Sequence, residues 1–166
     1  DEGKRFAETY LKDYCEKYNI KFNILRIFNT YGPHMAHNDG RVVSNFIMQA
    51  INNRDITIYG DGKQTRSLCF IDDLVKGIIN ISQIDEKNTI TNIGNDKERT
   101  ILSIAELIIS ISNSKSQLKF SPLPENDPLQ RKPDLSQISK LIPWNDLTPA
   151  EIGIEKTIKY FQKLNV

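Results

Sequence analysis

Between Leu25 and Asp73 the chain concentrates residues able to hold an anionic, polyhydroxylated ligand. An apolar, strand-like run over 22–28 ends at Ile27 and Phe28 and leads into Asn29-Thr30-Tyr31-Gly32-Pro33. That turn puts a side-chain amide and a hydroxyl at the strand's carboxyl end, where open α/β sheets bind ligands. The next segment, 41–52, has helical spacing through Val42, Val43, Phe46, Ile47 and Ala50, and its first N–H groups are suited to a phosphate. Tyr59-Gly60-Asp61-Gly62 reads as a hairpin turn between strands over 56–59 and 65–71, with Gln64 and Arg66 on the returning side. A second polar place lies at 122–133, where spaced prolines stiffen an extended loop carrying Arg131. From its residues alone, that loop reads equally as a solvated basic segment.

The elements that must position these residues are set by periodicity. Residues 1–18 form a helix with Phe6, Tyr10, Tyr14 and Tyr18 on one stripe and Ala7, Leu11 and Cys15 beside it. Lys4 with Glu8, Glu8 with Lys12, and Lys12 with Glu16 stand at the spacing that supports a helix. Asp72 is the expected cap of a helix reaching about residue 84, with Asp73 adding favourable charge in its first turn. A strand is expected over 89–93. Thr100 then caps a helix that buries Ile101, Ile104, Leu107, Ile108 and Ile111. After a short strand over 118–120, Thr148-Pro149-Ala150-Glu151 reads as a capping box with proline at the first helical position. The helix behind it buries Ile154, Ile158 and Phe161.

Composition narrows the classes. With 166 residues, 39% of them hydrophobic, the chain can build one domain with a real core. A net charge of +1 gives no field for nucleic acid or a membrane surface. Cys15 and Cys69 are too few for a disulfide framework and read as buried thiols in a reducing compartment. No apolar run approaches the roughly 20 residues of a membrane span. His34, His37 and Asp39 share one polar loop without a further ligand, so no metal site is expected. Asn80-Ile81-Ser82 is a formal glycosylation sequon inside a helical pattern and is discounted.

Three runs, taken together, carry a resemblance: Arg26-Ile27-Phe28-Asn29-Thr30-Tyr31-Gly32-Pro33, Asp39-Gly40-Arg41-Val42-Val43-Ser44-Asn45-Phe46, and Ile58-Tyr59-Gly60-Asp61-Gly62 with Gln64-Thr65-Arg66. Their order and spacing resemble the extended short-chain dehydrogenase/reductases that act on nucleotide sugars, and among them the UDP-glucuronic acid decarboxylases. The similarity runs from Asp1 to the last helix. Asp1-Glu2-Gly3-Lys4-Arg5 is similar to the residues just after the tyrosine in the family's Tyr-x-x-x-Lys helix, and that tyrosine would stand just before Asp1. A spacing of four puts both groups on one helical face, where the lysine charge favours the phenolate.

The resemblance implies an α/β fold: the C-terminal part of a Rossmann-type extended short-chain dehydrogenase/reductase with its small mixed α/β substrate-binding domain. Residues 1–30 would be the tail of the dinucleotide-binding domain and 31–166 the nucleotide-sugar region. The implied cofactor is NAD, held from this side by Lys4, Thr30 and Arg41, with Lys4 also the catalytic lysine. The implied substrate contacts are Asn29, Val43, Tyr59, Gln64, Arg66 and Arg131. Arg66 and Arg131 would clamp the diphosphate, because a guanidinium makes paired, charge-assisted bonds to phosphate oxygens. His34 stands where many relatives carry arginine.

The implied parent enzyme oxidises the sugar at C4, loses the C5 carboxylate as carbon dioxide and regenerates its cofactor. The expected partners are a UDP-sugar and, in the full-length enzyme, a second copy, with no nucleic acid, metal or membrane segment in this chain. A cytoplasmic location is expected, with an anchor upstream left open. As a C-terminal half the chain is expected to be inactive alone. Two alternatives stay open: a nucleotide-sugar 4,6-dehydratase (dTDP-glucose type) or UDP-sugar 4-epimerase, and a non-catalytic nucleotide-binding or dimerisation module. Dehydratases more often carry a second asparagine where this chain has Thr30.

Overall fold

The computed structural model describes residues 2–125 and 130–164. In chain order the elements are α1 (Glu2–Tyr18), β1 (Asn23–Ile27), β2 (Thr30–Tyr31), α2 (Val42–Ile51), β3 (Ile56–Tyr59), β4 (Thr65–Ser67), β5 (Cys69–Phe70) and α3 (Ile71–Gln83). Next come β6 (Thr89–Ile93), β7 (Glu98–Thr100), α4 (Ile101–Ser112), β8 (Leu118–Ser121), β9 (Gln130–Arg131), α5 (Ile138–Leu141) and α6 (Ala150–Lys163).

Most strand pairs are parallel. β1 runs beside β6 from Asn23↔Thr89 to Ile27↔Ile93, β2 beside β5, and β3 beside β8 from Ile56↔Leu118 to Tyr59↔Ser121. β4 is the centre of a three-stranded sheet, antiparallel to β7 and parallel to β9. Two apolar clusters hold these layers. The larger joins α2, α4 and α6 to β3 through Phe46, Ile47, Ile56, Ile58, Ile104, Ile108, Ile154 and Phe161. The smaller gathers Cys69, Leu74, Ile81, Ile93, Ile138 and Ile142 around α3, β6 and α5. Trp144 closes this second cluster. Its indole N–H donates to the Gly94 carbonyl at 2.9 Å, and its ring lies so near α3 that a Cβ at Gly77 would stand 2.3 Å from it.

Several sequence expectations hold, among them the first helix, described over Glu2–Tyr18, the strands at 22–28, 89–93 and 118–120, and the two buried free thiols. Thr100 caps α4 as expected, its hydroxyl oxygen accepting from the Ser103 N–H at 3.1 Å. Others need correction. The glycine turn does not close a hairpin: among the described residues β3 pairs with β8, and β4 with β7 and β9. Gly60 and Gly62 both take left-handed φ, 69° and 73°, a conformation glycine adopts at little cost. The chain leaving the turn then bonds to the start of α4, where Leu102 N–H meets the Gly62 carbonyl and Ile101 N–H the Gln64 carbonyl, both at 3.0 Å.

Asp72 does not cap α3. The helix starts two residues earlier than that cap would place it, with Phe70 at the cap position and no side-chain cap bond, and Asp72 faces Lys156 at 3.7 Å. The capping box at 148–151 is not formed either. Pro149 occupies the cap position of α6, and the Thr148 hydroxyl donates to Asp73, which also accepts the Thr148 N–H. Glu151 pairs with Arg99 instead of folding back. Glu8 likewise turns away from the ladder along α1 to take a two-pronged bond from Arg26, at 2.8 and 2.6 Å. The expected Arg131 loop contains a strand, β9. Asp127-Pro128, in the same loop, lies outside the described residues.

Candidate active site

A cavity of about 770 Å³ opens between α1, α2, the carboxyl ends of β1 and β3, and the β4–β9 edge. All nine site residues singled out from the sequence line it: Lys4, Asn29, Thr30, Arg41, Val43, Tyr59, Gln64, Arg66 and Arg131. Among the described residues its charged lining is positive. Lys4, Arg41, Arg66 and Arg131 are the charged residues, and no carboxylate is among the described lining residues.

Each side chain has a local reason for its place. Asn29 lies in the short link between β1 and β2, and Thr30 opens β2. The Thr30 hydroxyl donates back to the Phe28 carbonyl at 2.8 Å and fixes the turn. Arg41 stands at the cap position of α2. Asp39 accepts from the Arg41 N–H at 3.0 Å and from the Ser44 hydroxyl, and its second oxygen lies 3.2 Å from the Arg41 guanidinium. Arg41 therefore comes to the cavity with its charge partly offset. Gln64, buried, donates to the Tyr59 carbonyl at 2.6 Å across the glycine turn, which locks the two candidate nucleotide contacts to each other.

The β4 sheet makes the most directed feature. Its register aligns Arg99 with Arg66 and Arg66 with Arg131. Residues directly opposite on paired strands share a face, so three arginines form one row. Arg99 is answered by Glu151 of α6. Arg66, only 8% exposed, gives one N–H to the Thr65 carbonyl at 2.8 Å and lines the cavity with Arg131. Two guanidinium groups side by side on paired strands can share one bound anion.

Proton chemistry is sparser. Tyr31 lines the cavity, but burial, with the nearby Cys69 and Asp73 adding to it, pushes its phenol up, so no phenolate forms near neutral pH. Burial and then the Asp73 charge push the Cys69 thiol up to about 12. The described lining therefore offers cations, amides and hydroxyls suited to binding and orientation. Sequence reasoning missed Asn45, Gln49 and Thr57, which also line the cavity. Gln49 reaches from α2 to β3, accepting the Thr57 N–H at 3.2 Å and donating to its hydroxyl at 3.3 Å. The available signal was Arg41, Asn45 and Gln49 at successive spacings of four, a polar stripe on an otherwise apolar helix.

A family model described as the NAD dependent epimerase/dehydratase family matches residues 1–94. The chain belongs to this epimerase/dehydratase family. It is 42% identical over 163 residues to UDP-glucuronic acid decarboxylase 1 of Danio rerio, covering 98% of this chain and 39% of that protein. It is 41% identical over 167 residues to UDP-glucuronic acid decarboxylase 3 of Arabidopsis thaliana, covering 100% of this chain and 48% of that one. The chain thus spans less than half the length of these relatives. A solved epimerase/dehydratase relative, UDP-glucuronic acid 4-epimerase from Bacillus cereus in complex with UDP-glucuronic acid and NAD, superposes with a TM-score of 0.85 at 27% identity, over 95% of this chain and 50% of that one. UDP-glucose 4-epimerase from Thermotoga maritima gives 0.89 at 24% identity, over 96% and 52% of the two chains, a likeness of fold. The expected α/β class, Rossmann-type and of the extended short-chain kind, stands. No described helix is long and apolar enough to cross a membrane.

Proposed function

We propose that this chain is the nucleotide-sugar-binding portion of an NAD-dependent enzyme that decarboxylates UDP-glucuronate to UDP-xylose. One observation carries the reading. The cavity is lined by four cations without a carboxylate among the described residues, and two of them, Arg66 and Arg131, stand in register on paired strands. That is the arrangement a diphosphate needs. The choice of sugar is supported by relatives at about 41% identity named as UDP-glucuronic acid decarboxylases.

In this reading Arg66 and Arg131 bind the diphosphate, Asn29 contacts it from the sugar side, and Tyr59 and Gln64 hold the nucleoside, with Val43 closing the wall. The donor set also fits a dinucleotide. Lys4 brings an ammonium and Thr30 a hydroxyl to the same cavity, groups suited to a ribose diol, with Arg41 beside them. NAD supplies the hydride acceptor and donor of such an enzyme. Lys4 would hold the ribose and place a positive charge beside the reacting end of the sugar. Residues 1–30 would belong to the dinucleotide side and 31–166 to the substrate side. A cytoplasmic location and a homodimer meeting through the exposed Phe6, Tyr10 and Tyr14 face complete the proposal.

Alone, the chain is expected to bind UDP without turning over UDP-glucuronate. Calorimetry with UDP checks the first half; absence of binding removes the reading. Protein immunopurified from its source cells and supplied with UDP-glucuronate and NAD checks the second. UDP-xylose with released carbon dioxide supports the decarboxylase. A UDP-hexuronate epimer as the product would favour a second reading, a 4-epimerase, which the Bacillus cereus superposition supports. Turnover of dTDP-glucose would instead mark a 4,6-dehydratase. Binding without any turnover by the endogenous protein would mark a non-catalytic module.

A further inference from the structure

Arg131 lies on a strand of two residues, and a side chain from the opposite edge of the sheet holds that strand in place. We propose that Glu98 is a positioning residue for the phosphate clamp, gripping the neighbours of both clamp arginines so that Arg131 is presented to the cavity beside Arg66. The inference rests on the nucleotide-binding reading above.

The register supplies the geometry. On β4, Thr65 pairs with Gln130 and Arg66 with Arg131, while Ser67 pairs with Glu98. Successive strand residues point to opposite faces. Thr65, Gln130 and Glu98 therefore share the face turned away from the arginine row. On that face one Glu98 carboxylate oxygen accepts from the Thr65 hydroxyl at 2.6 Å and from the Gln130 amide at 2.7 Å. The other lies 3.8 Å from the Lys132 ammonium. Gln130 and Lys132 flank Arg131 in the chain, and Thr65 precedes Arg66. Glu98 thus ties down residues next to both arginines without touching the ligand space itself. The Thr65 bond, then the Gln130 bond, holds its carboxyl below the usual range, so it stays ionised near neutral pH.

Fixing a short exposed strand before the ligand arrives lowers the ordering cost of binding. Plain electrostatics argues the other way. A carboxylate near an anion site repels phosphate, so deleting it should tighten UDP binding. Positioning predicts that deleting it loosens UDP binding, and the sign separates the two.

The test titrates UDP and uridine calorimetrically into the unaltered protein, Glu98→Ala, Arg131→Ala and the double variant. Glu98→Ala is expected to weaken UDP about five- to tenfold, the scale of a charge-assisted bond partly lost, while uridine binding stays within about twofold. The double variant is expected to bind UDP no more weakly than Arg131→Ala alone, because both changes act through one side chain. Glu98→Gln, which keeps an acceptor for Thr65, is expected to recover most of the UDP affinity. If Glu98→Ala does not fold, Gln130→Ala carries the same test with the same expected sign. The proposal is overturned by unchanged or tighter UDP binding in Glu98→Ala, by equal losses for UDP and uridine, or by additive losses in the double variant. If Arg131→Ala itself leaves UDP binding unchanged, the clamp reading fails, and this inference fails with it.

Discussion

Helices α1 and α6 are built on the same local pattern and meet different fates. Both carry apolar side chains at a spacing of four, over 17 and 14 residues. α6 sinks Ile154, Thr157, Ile158 and Phe161 against α2 and α4. α1 buries Cys15 alone, leaves Phe6 72% exposed and stacks its aromatics on one another along its own surface, with ring centroids 6.1 and 6.2 Å apart for Phe6–Tyr10 and Tyr10–Tyr14. Periodicity specifies a helix; whether its stripe becomes core depends on a neighbour being there to receive it. The cavity spans both situations. Its Lys4 rides on the lightly held helix, and its Arg66 on a strand with partners on both sides.

The sharpest way to break the comparison is to empty each stripe in turn. Phe161→Ala should cost about 3–5 kcal/mol in denaturant unfolding, the usual range for a fully buried aromatic; a loss under about 1 kcal/mol would mean that α6 is not anchored as described. Next, Arg66→Ala should weaken UDP binding by about 1.5–3 kcal/mol, roughly ten- to a hundredfold by titration. Lys4→Ala should leave UDP affinity within about twofold; equal losses would erase the distinction between the two sides of the cavity. Asp73→Ala removes both bonds to Thr148 that tether the entrance of α6 and should cost about 1–2 kcal/mol.

The anchoring of α1 should show as a shallower acid dependence. The Glu8 carboxyl is held below its ordinary 4.5, first by the hydrogen bond from Arg26. A depressed carboxyl contributes stability above its unfolded value and loses it as pH falls through the folded one. Melting should therefore show an Arg26-dependent decline below about pH 4.5 that Glu8→Gln abolishes. Smallest of all, Phe6→Ser should move stability by no more than about 0.5 kcal/mol.

Local rules carried the longer helices, the strands over 22–28, 89–93 and 118–120 and the Thr100 cap, because hydrophobic period and cap chemistry act over a few residues. They failed where partners are distant. Nothing near Gly60-Asp61-Gly62 announces that the chain beyond it will bond to the start of α4, and nothing in a proline-rich loop announces that Gln130 and Arg131 will pair with Thr65 and Arg66, 65 positions away. Asp72 and Thr148 mislead for a related reason. A short polar side chain next to a helix start reads as a cap, while the nearby Asp73 draws Thr148 into a tertiary bond. The nine residues taken from the family's motifs converge on one cavity. The arginine row across β7, β4 and β9 was not legible, since register is a property of pairing and not of any one segment.

Trp144 is the chain's sole tryptophan, which turns the indole packed over Gly77 into an intrinsic optical label. Because it closes the α3–β6–α5 cluster, its emission should report when that cluster opens to water and be nearly silent on the α2–α4–α6 core. Unfolding tracked by indole fluorescence and by far-ultraviolet dichroism would superpose if the two clusters melt together and would split into two curves if they melt apart.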